Sequence, residues 1–63
     1  ELPRRQETVR TPYGEVGVEA VTLPSGRVRR TPEYEDCRAR AVEMGATVQE
    51  VMRAALSRCD TGD

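Results

Sequence analysis

The sequence predicts an α+β domain, a small antiparallel β-sheet of two to three strands followed by a helical hairpin packed on one face. Two observations carry this. Glu15-Val16-Gly17-Val18-Glu19-Ala20 alternates polar and apolar residues, which puts Val16, Val18 and Ala20 on one face of a half-buried strand. After Thr31 the apolar residues recur instead at steps of three and four, the period of a helix. Runs of strands followed by runs of helices make a sheet with helices laid on one face.

Each element has its own signal. Residues 4–11 read as a strand whose polar content suits an edge or a solvated face, and Val9 is its inward position. Thr11-Pro12-Tyr13-Gly14 spaces Pro and Gly for a tight turn, so the first two strands form a hairpin. Leu23-Pro24-Ser25-Gly26 is a second turn, and Arg27 to Arg30 is a short third strand with Val28 inward. Thr31 is a helix cap by type, and Pro32 suits the first helical position because its missing N–H needs no partner there. Tyr34, Cys37, Ala41 and Met44 form the expected apolar stripe, and Gly45 takes the left-handed slot that ends the helix. Thr47-Val48-Gln49-Glu50 is a capping box for a second helix with apolar Val48, Val51, Met52, Ala55, Leu56 and Cys59. The expected layout is therefore one small domain with strands over about 4–30 and helices over about 32–45 and 47–59. Residues 60–63 are expected to fray.

Composition narrows the function. At 63 residues, 37% hydrophobic, the chain lies near the lower limit for independent folding. It opens on Glu1, which reads as an excised piece of a larger protein or the product of tag cleavage, and the polar sheet face is expected to be wet or covered by something outside this chain. There is no His, and Cys37 and Cys59 stand too far apart for a metal-ligating pair, so a zinc site from this chain alone is excluded. Both thiols fall on apolar helical faces and are expected free and buried. A net charge of −1 argues against nucleic acid as a partner. No apolar run reaches the ~18 residues of a membrane span, and no signal peptide is evident, so a cytoplasmic setting is expected. No phosphate loop and no nucleophile–base pair is present, which disfavours self-contained catalysis.

The densest chemistry is Pro32-Glu33-Tyr34-Glu35-Asp36-Cys37, directly after Arg27-Val28-Arg29-Arg30. Two readings stand. Glu33 and Asp36, three apart, suit a hard divalent cation shared with phosphates. Acids at a helix start also offset the macrodipole, with Asp36–Arg40 a surface pair and Tyr34 and Cys37 packed inward. The arginines divide similarly: phosphate or carboxylate recognition, or a solvated face paired with Glu7, Glu15 and Glu19.

Thr11-Pro12-Tyr13-Gly14-Glu15-Val16 together with Pro32-Glu33-Tyr34-Glu35-Asp36-Cys37, and the later Gly45, Val51 and Ala54-Ala55, resembles the C-terminal end of LarC-type nickel-insertion proteins. The resemblance spans roughly residues 4–57. It implies a C-terminal fragment of a CTP-dependent cyclometallase that inserts nickel into a pyridinium bis-thiocarboxylate mononucleotide, completing the cofactor of lactate racemase. CTP with Mn²⁺ or Mg²⁺ is then bound by the C-terminal domain, nickel is supplied by an N-terminal region outside this chain, and the domain assembles as a trimer or hexamer. Carried onto this sequence, Glu33 and Asp36 become candidate metal contacts, and Tyr13, Arg30, Glu33, Tyr34 and Asp36 candidate contacts to the nucleotide. The fragment alone is expected to be inactive. The alternative is a structural or oligomerisation module with no ligand contact. One departure stands out: the family commonly has Lys where this chain has Glu19, a charge reversal at a position suited to a triphosphate.

Overall fold

The computed structural model describes residues 2–60. Strands β1 (Arg4–Thr11), β2 (Gly14–Thr22) and β3 (Val28–Pro32) precede helices α1 (Tyr34–Met44) and α2 (Val48–Asp60). The expected α+β architecture is what forms. The sheet runs β1-β2-β3, both pairings antiparallel, with Val9 opposite Val16 and Val18 opposite Pro32. That register puts Val9, Val16, Val18, Ala20 and Val28 on one face, as the alternation required.

Both turns are built from their sequence signals. Thr11 clips the first: its hydroxyl donates to the Gly14 carbonyl at 2.7 Å and accepts from the Tyr13 N–H at 3.0 Å. Gly14 stands at φ 118°, where side chains are strained. In the second turn the Gly26 N–H reaches the Leu23 carbonyl at 2.9 Å and the Leu23 N–H the Arg27 carbonyl at 2.7 Å.

The core lies under the hairpin end of the sheet. Val16, Cys37, Ala41, Val51 and Ala55 form one buried cluster, flanked by Val9, Tyr13, Ala46, Val48 and Met52. Val16, Val18 and Val51 are fully buried, each worth about 1.5–3 kcal/mol relative to exposure. Both cysteines are free and buried. Burial pushes the Cys37 thiol above its ordinary value, and the neighbouring Asp36 charge adds to that. Cys37 therefore serves as a neutral filler, its sulfur 4.0 Å from that of Met52.

The strand-to-helix boundary differs from the sequence reading. Pro32 ends β3 instead of opening α1, and Glu33, not Thr31, is the N-cap, with extended dihedrals (φ −76°, ψ 122°). Two forces explain this. A residue before proline is held extended, which keeps Thr31 in the strand. The Glu33 N–H then donates to the Gly17 carbonyl at 2.8 Å, carrying the ladder one residue past Pro32. An edge strand tolerates the proline.

The apolar stripe of α1 is also narrower than its periodicity suggested. Cys37 and Ala41 are buried, but Tyr34 and Met44 are more than half exposed. Helical side chains lean toward the N-terminus, so a residue at the first position projects past the start of the helix. Tyr34 does so, and Met44 falls in the last turn. Leu56 of α2 is likewise 44% exposed.

Gly45 ends α1 at φ 66°, and the Ala46 N–H bonds the Ala41 carbonyl at 3.0 Å. The capping box forms as expected, with the Thr47 N–H donating to Glu50 Oε1 at 2.8 Å and the Glu50 N–H to Thr47 Oγ1 at 3.1 Å. The expectation of fraying falls mainly on residues 61–63, outside the described residues; Asp60 is the last residue of α2. Replacing Thr47 by Ala is expected to lower unfolding free energy by about 1 kcal/mol in urea melts, with the slope unchanged.

Candidate nucleotide site at the start of α1

The first turn of α1 meets β2 where β3 stops. Beyond Pro32, β2 would present an open backbone N–H at Gly17. Asp36 fills that place: its Oδ2 accepts the Gly17 N–H at 2.8 Å. The side chain thus continues the hydrogen-bond ladder after the third strand has turned away. The close approach of Asp36 favours a glycine there. A Cβ at position 17 would lie 2.6 Å from Asp36 Oδ2 and 3.6 Å from Glu33 Cγ. The two carboxylates flank one strand residue.

Of the acids in this turn, Asp36 is committed to the backbone. Glu33 occupies the N-cap, yet its side chain makes no capping hydrogen bond. Tyr34 is 56% exposed, so the expectation that it packs in the core is corrected. Glu35 is 4.0 Å from Arg38, an exposed pair of little energetic weight. The expected Asp36–Arg40 pair is replaced by two other contacts. Arg40 donates to Glu43 at 2.8 Å, and its stem crosses Gly14, where a Cβ would approach Arg40 Cδ to 2.9 Å. Its Nε is buried without a hydrogen-bond partner.

The remaining candidates lie elsewhere. Tyr13 is at the hairpin tip, in the turn before β2, and packs on the core cluster four residues ahead of Gly17. Arg30 lies on the helix-covered face of β3, opposite Ala20, and donates to Glu7 at 2.8 Å. Glu7 also accepts from Arg5 at 2.8 Å. Glu7 is opposite Val18 in β1, so the Arg30–Glu7 bridge crosses the middle strand from one edge of the sheet to the other. The Arg30 and Arg5 hydrogen bonds hold the Glu7 carboxyl below its ordinary value. On the opposite face Glu19 pairs with Arg4 at 2.8 Å and Glu15 with Arg10 at 3.2 Å. All three acids foreseen as partners of the arginines take that role. Glu19 is thereby neutralised within the sheet.

The structure thus gathers Glu33, Tyr34 and Asp36 in one turn and sets Arg30 and Tyr13 apart. One position that shapes the candidate site, Gly17, escaped the sequence reading. A glycine inside an alternating strand marks close approach of another group, and that signal was present at Gly17. Among the described residues no three His, Cys, Asp or Glu side chains converge to hold a metal ion.

Residues 1–52 match the family described as nickel insertion protein. The chain belongs to that family. Across 98% of its length it is 42% identical to a putative nickel insertion protein of Syntrophobacter fumaroxidans, and across 86% it is 43% identical to the pyridinium-3,5-bisthiocarboxylic acid mononucleotide nickel insertion protein of a Thermotoga species (strain RQ2). The fold superposes with a TM-score of 0.84 on LarC2, the C-terminal domain of a cyclometallase involved in synthesis of the NPN cofactor of lactate racemase, in its apo form, at 36% identity over 94% of this chain. The chain spans 16% and 13% of the lengths of those two relatives and 40% of the LarC2 chain.

The depressed Glu7 value sets a pH dependence for this nickel insertion family member. Stability from the Arg5–Glu7–Arg30 bridge is complete above the ordinary glutamate range and is lost as pH falls through the folded-state pKa. Melting temperatures taken between about pH 6 and about pH 3 are expected to fall less steeply for Glu7→Gln than for the parent chain.

Proposed function

We propose that this chain is part of the C-terminal, nucleotide-binding domain of a CTP-dependent nickel-insertion protein. In this reading the whole protein inserts nickel into a pyridinium bis-thiocarboxylate mononucleotide in the cytoplasm, and nickel is its cargo. Support comes from the family membership and from the likeness to LarC2. The observation that carries the site is local: the fold uses Asp36 and Cys37 but leaves Glu33 and Tyr34 unspent at the same helix start. A carboxylate at an N-cap that does not cap, beside an exposed aromatic ring, suits a metal–nucleotide complex.

The division of labour follows. Glu33 offers a carboxylate to the Mn²⁺ or Mg²⁺ that accompanies CTP. Asp36 has Oδ1 left for it, while Oδ2 stays with Gly17. Two carboxylates are too few to complete an octahedral shell, so phosphate oxygens and water supply the rest. Tyr34 presents a face for stacking against the base. Arg30 and Tyr13 stand farther off and serve the nucleotide less directly, Arg30 through charge and Tyr13 by fixing the hairpin tip.

A second reading, assembly without ligand contact, has its own support in the exposed Val42 (77%), Met44 (55%) and Leu56 (44%). Such a surface suits packing into a trimer or hexamer, and the two roles are compatible.

Calorimetry on the full-length protein separates them. Glu33→Gln is expected to weaken Mn²⁺–CTP binding about tenfold, the scale of one charge-assisted contact, with the melting temperature unchanged. Unaltered affinity in Glu33→Gln and in Tyr34→Ala would leave the assembly reading in its place.

A further inference from the structure

The part of β2 that extends past Pro32 has no third strand beside it, and α1 meets that edge with two side chains one helical turn apart. Asp36 accepts the Gly17 N–H at 2.8 Å, and Arg40 turns Nη1 toward the Glu15 carbonyl, 3.5 Å away. We infer that Arg40 is a positioning residue for Asp36. Held against the hairpin, it leaves the Asp36 carboxylate to the Gly17 N–H and to a divalent cation at the same turn.

Such holding answers a local competition. An acid followed four residues later by a base is the favoured order for an ion pair along a helix, and Asp36 is exposed within that reach of Arg40. A guanidinium closing on Asp36 would engage both carboxylate oxygens with its fork. It would take Oδ2 from the Gly17 N–H and Oδ1 from any cation. Three contacts divert it. The Arg40 stem lies across Gly14, where a Cβ would come within 2.9 Å of Arg40 Cδ, so the missing side chain opens its path. Nη2 donates to Glu43 at 2.8 Å, and Nη1 faces the Glu15 carbonyl. The diversion has a cost, because Arg40 Nε is buried without a hydrogen-bond partner. That cost narrows the gap between the held position and the paired one. The Glu43 carboxylate, the one charged anchor of the three, tips the balance.

The test is hydrogen exchange at the Gly17 amide in the full-length protein labelled at glycine, with titration by Mn²⁺ alone on the same samples. The exchange arm depends only on the geometry of α1 and β2, whereas the Mn²⁺ arm rests on the proposed function. Glu43→Gln, at a side chain 60% exposed, is expected to speed Gly17 exchange about threefold, the scale of an exposed ion pair, and to weaken Mn²⁺ binding by a similar factor. Adding Arg40→Met, which keeps an unbranched stem against Gly14 and drops the charge, should return both to the parent values because the competitor is gone. A merely structural Arg40–Glu43 pair gives the opposite order, with the double variant no better protected than the single. The Gly45 amide, bonded to the Ala41 carbonyl, should exchange equally in all three proteins and so report an intact α1. Gly17 exchange indifferent to Glu43→Gln, not restored in the double variant, or matched by equal acceleration at Gly45 would overturn the proposal. Failure of Mn²⁺ to bind the parent protein, with the Gly17 order as expected, counts against the α1 site and supports the positioning role of Arg40.

Discussion

The hydrogen bond from the Gly17 N–H to the Asp36 carboxylate is the joint on which this domain turns. A three-stranded sheet must end somewhere, and β2 is longer than β3. The residue of β2 left beyond Pro32 has a donor that water or another chain would otherwise take. Asp36 supplies an acceptor from the incoming helix, 2.8 Å away. The same contact sets the rotation of α1, turns Cys37 and Ala41 into the core, and leaves Tyr34 exposed and Glu33 half-buried. Geometry of the fold and geometry of the candidate site are one decision.

This joint explains why so acidic a turn is stable. Asp36 is matched to a backbone donor, and Asp36 and Glu35 lie in the first turn, where the helix dipole favours negative charge. Elsewhere charge is balanced in pairs: Arg30 and Arg5 on Glu7 over the middle strand, Arg4 on Glu19 and Arg10 on Glu15 beneath it. A sheet with few large apolar residues thus spends its arginines on cross-strand bridges. The half-buried Glu33 and the exposed Tyr34 and Val42 lie outside these pairs, which is why the proposed site is placed on the α1 side.

Much of this was legible in the residues. The alternation around Val16 and Val18, the two Pro–Gly turns, Gly45 and the Thr47–Glu50 box each act within a few residues, and each formed as local chemistry requires. The errors came where two elements compete. Pro32 satisfies a helix start and an edge strand equally well, and only the long-range bond from Glu33 to Gly17 decides for the strand. Tyr34 fits the helical period, but period says nothing about where the helix overhangs the sheet. The i,i+4 spacing favours an Asp36–Arg40 pair, yet Asp36 accepts instead from an amide nineteen residues back in sequence. The resemblance to nickel-insertion proteins points to this segment, while which of its carboxylates serves the fold follows only from the register of the sheet.

Amide hydrogen exchange at Gly17 tests this account most directly. In the parent chain the Gly17 amide should be protected to the same degree as the paired amides of β2. In an Asp36→Ala variant that remains folded, it should exchange at the rate of an open amide while the Val16 and Val18 region of the sheet stays protected. A Gly17 amide that exchanges freely in the parent chain, or one indifferent to the loss of Asp36, would contradict the claim that this carboxylate completes the sheet.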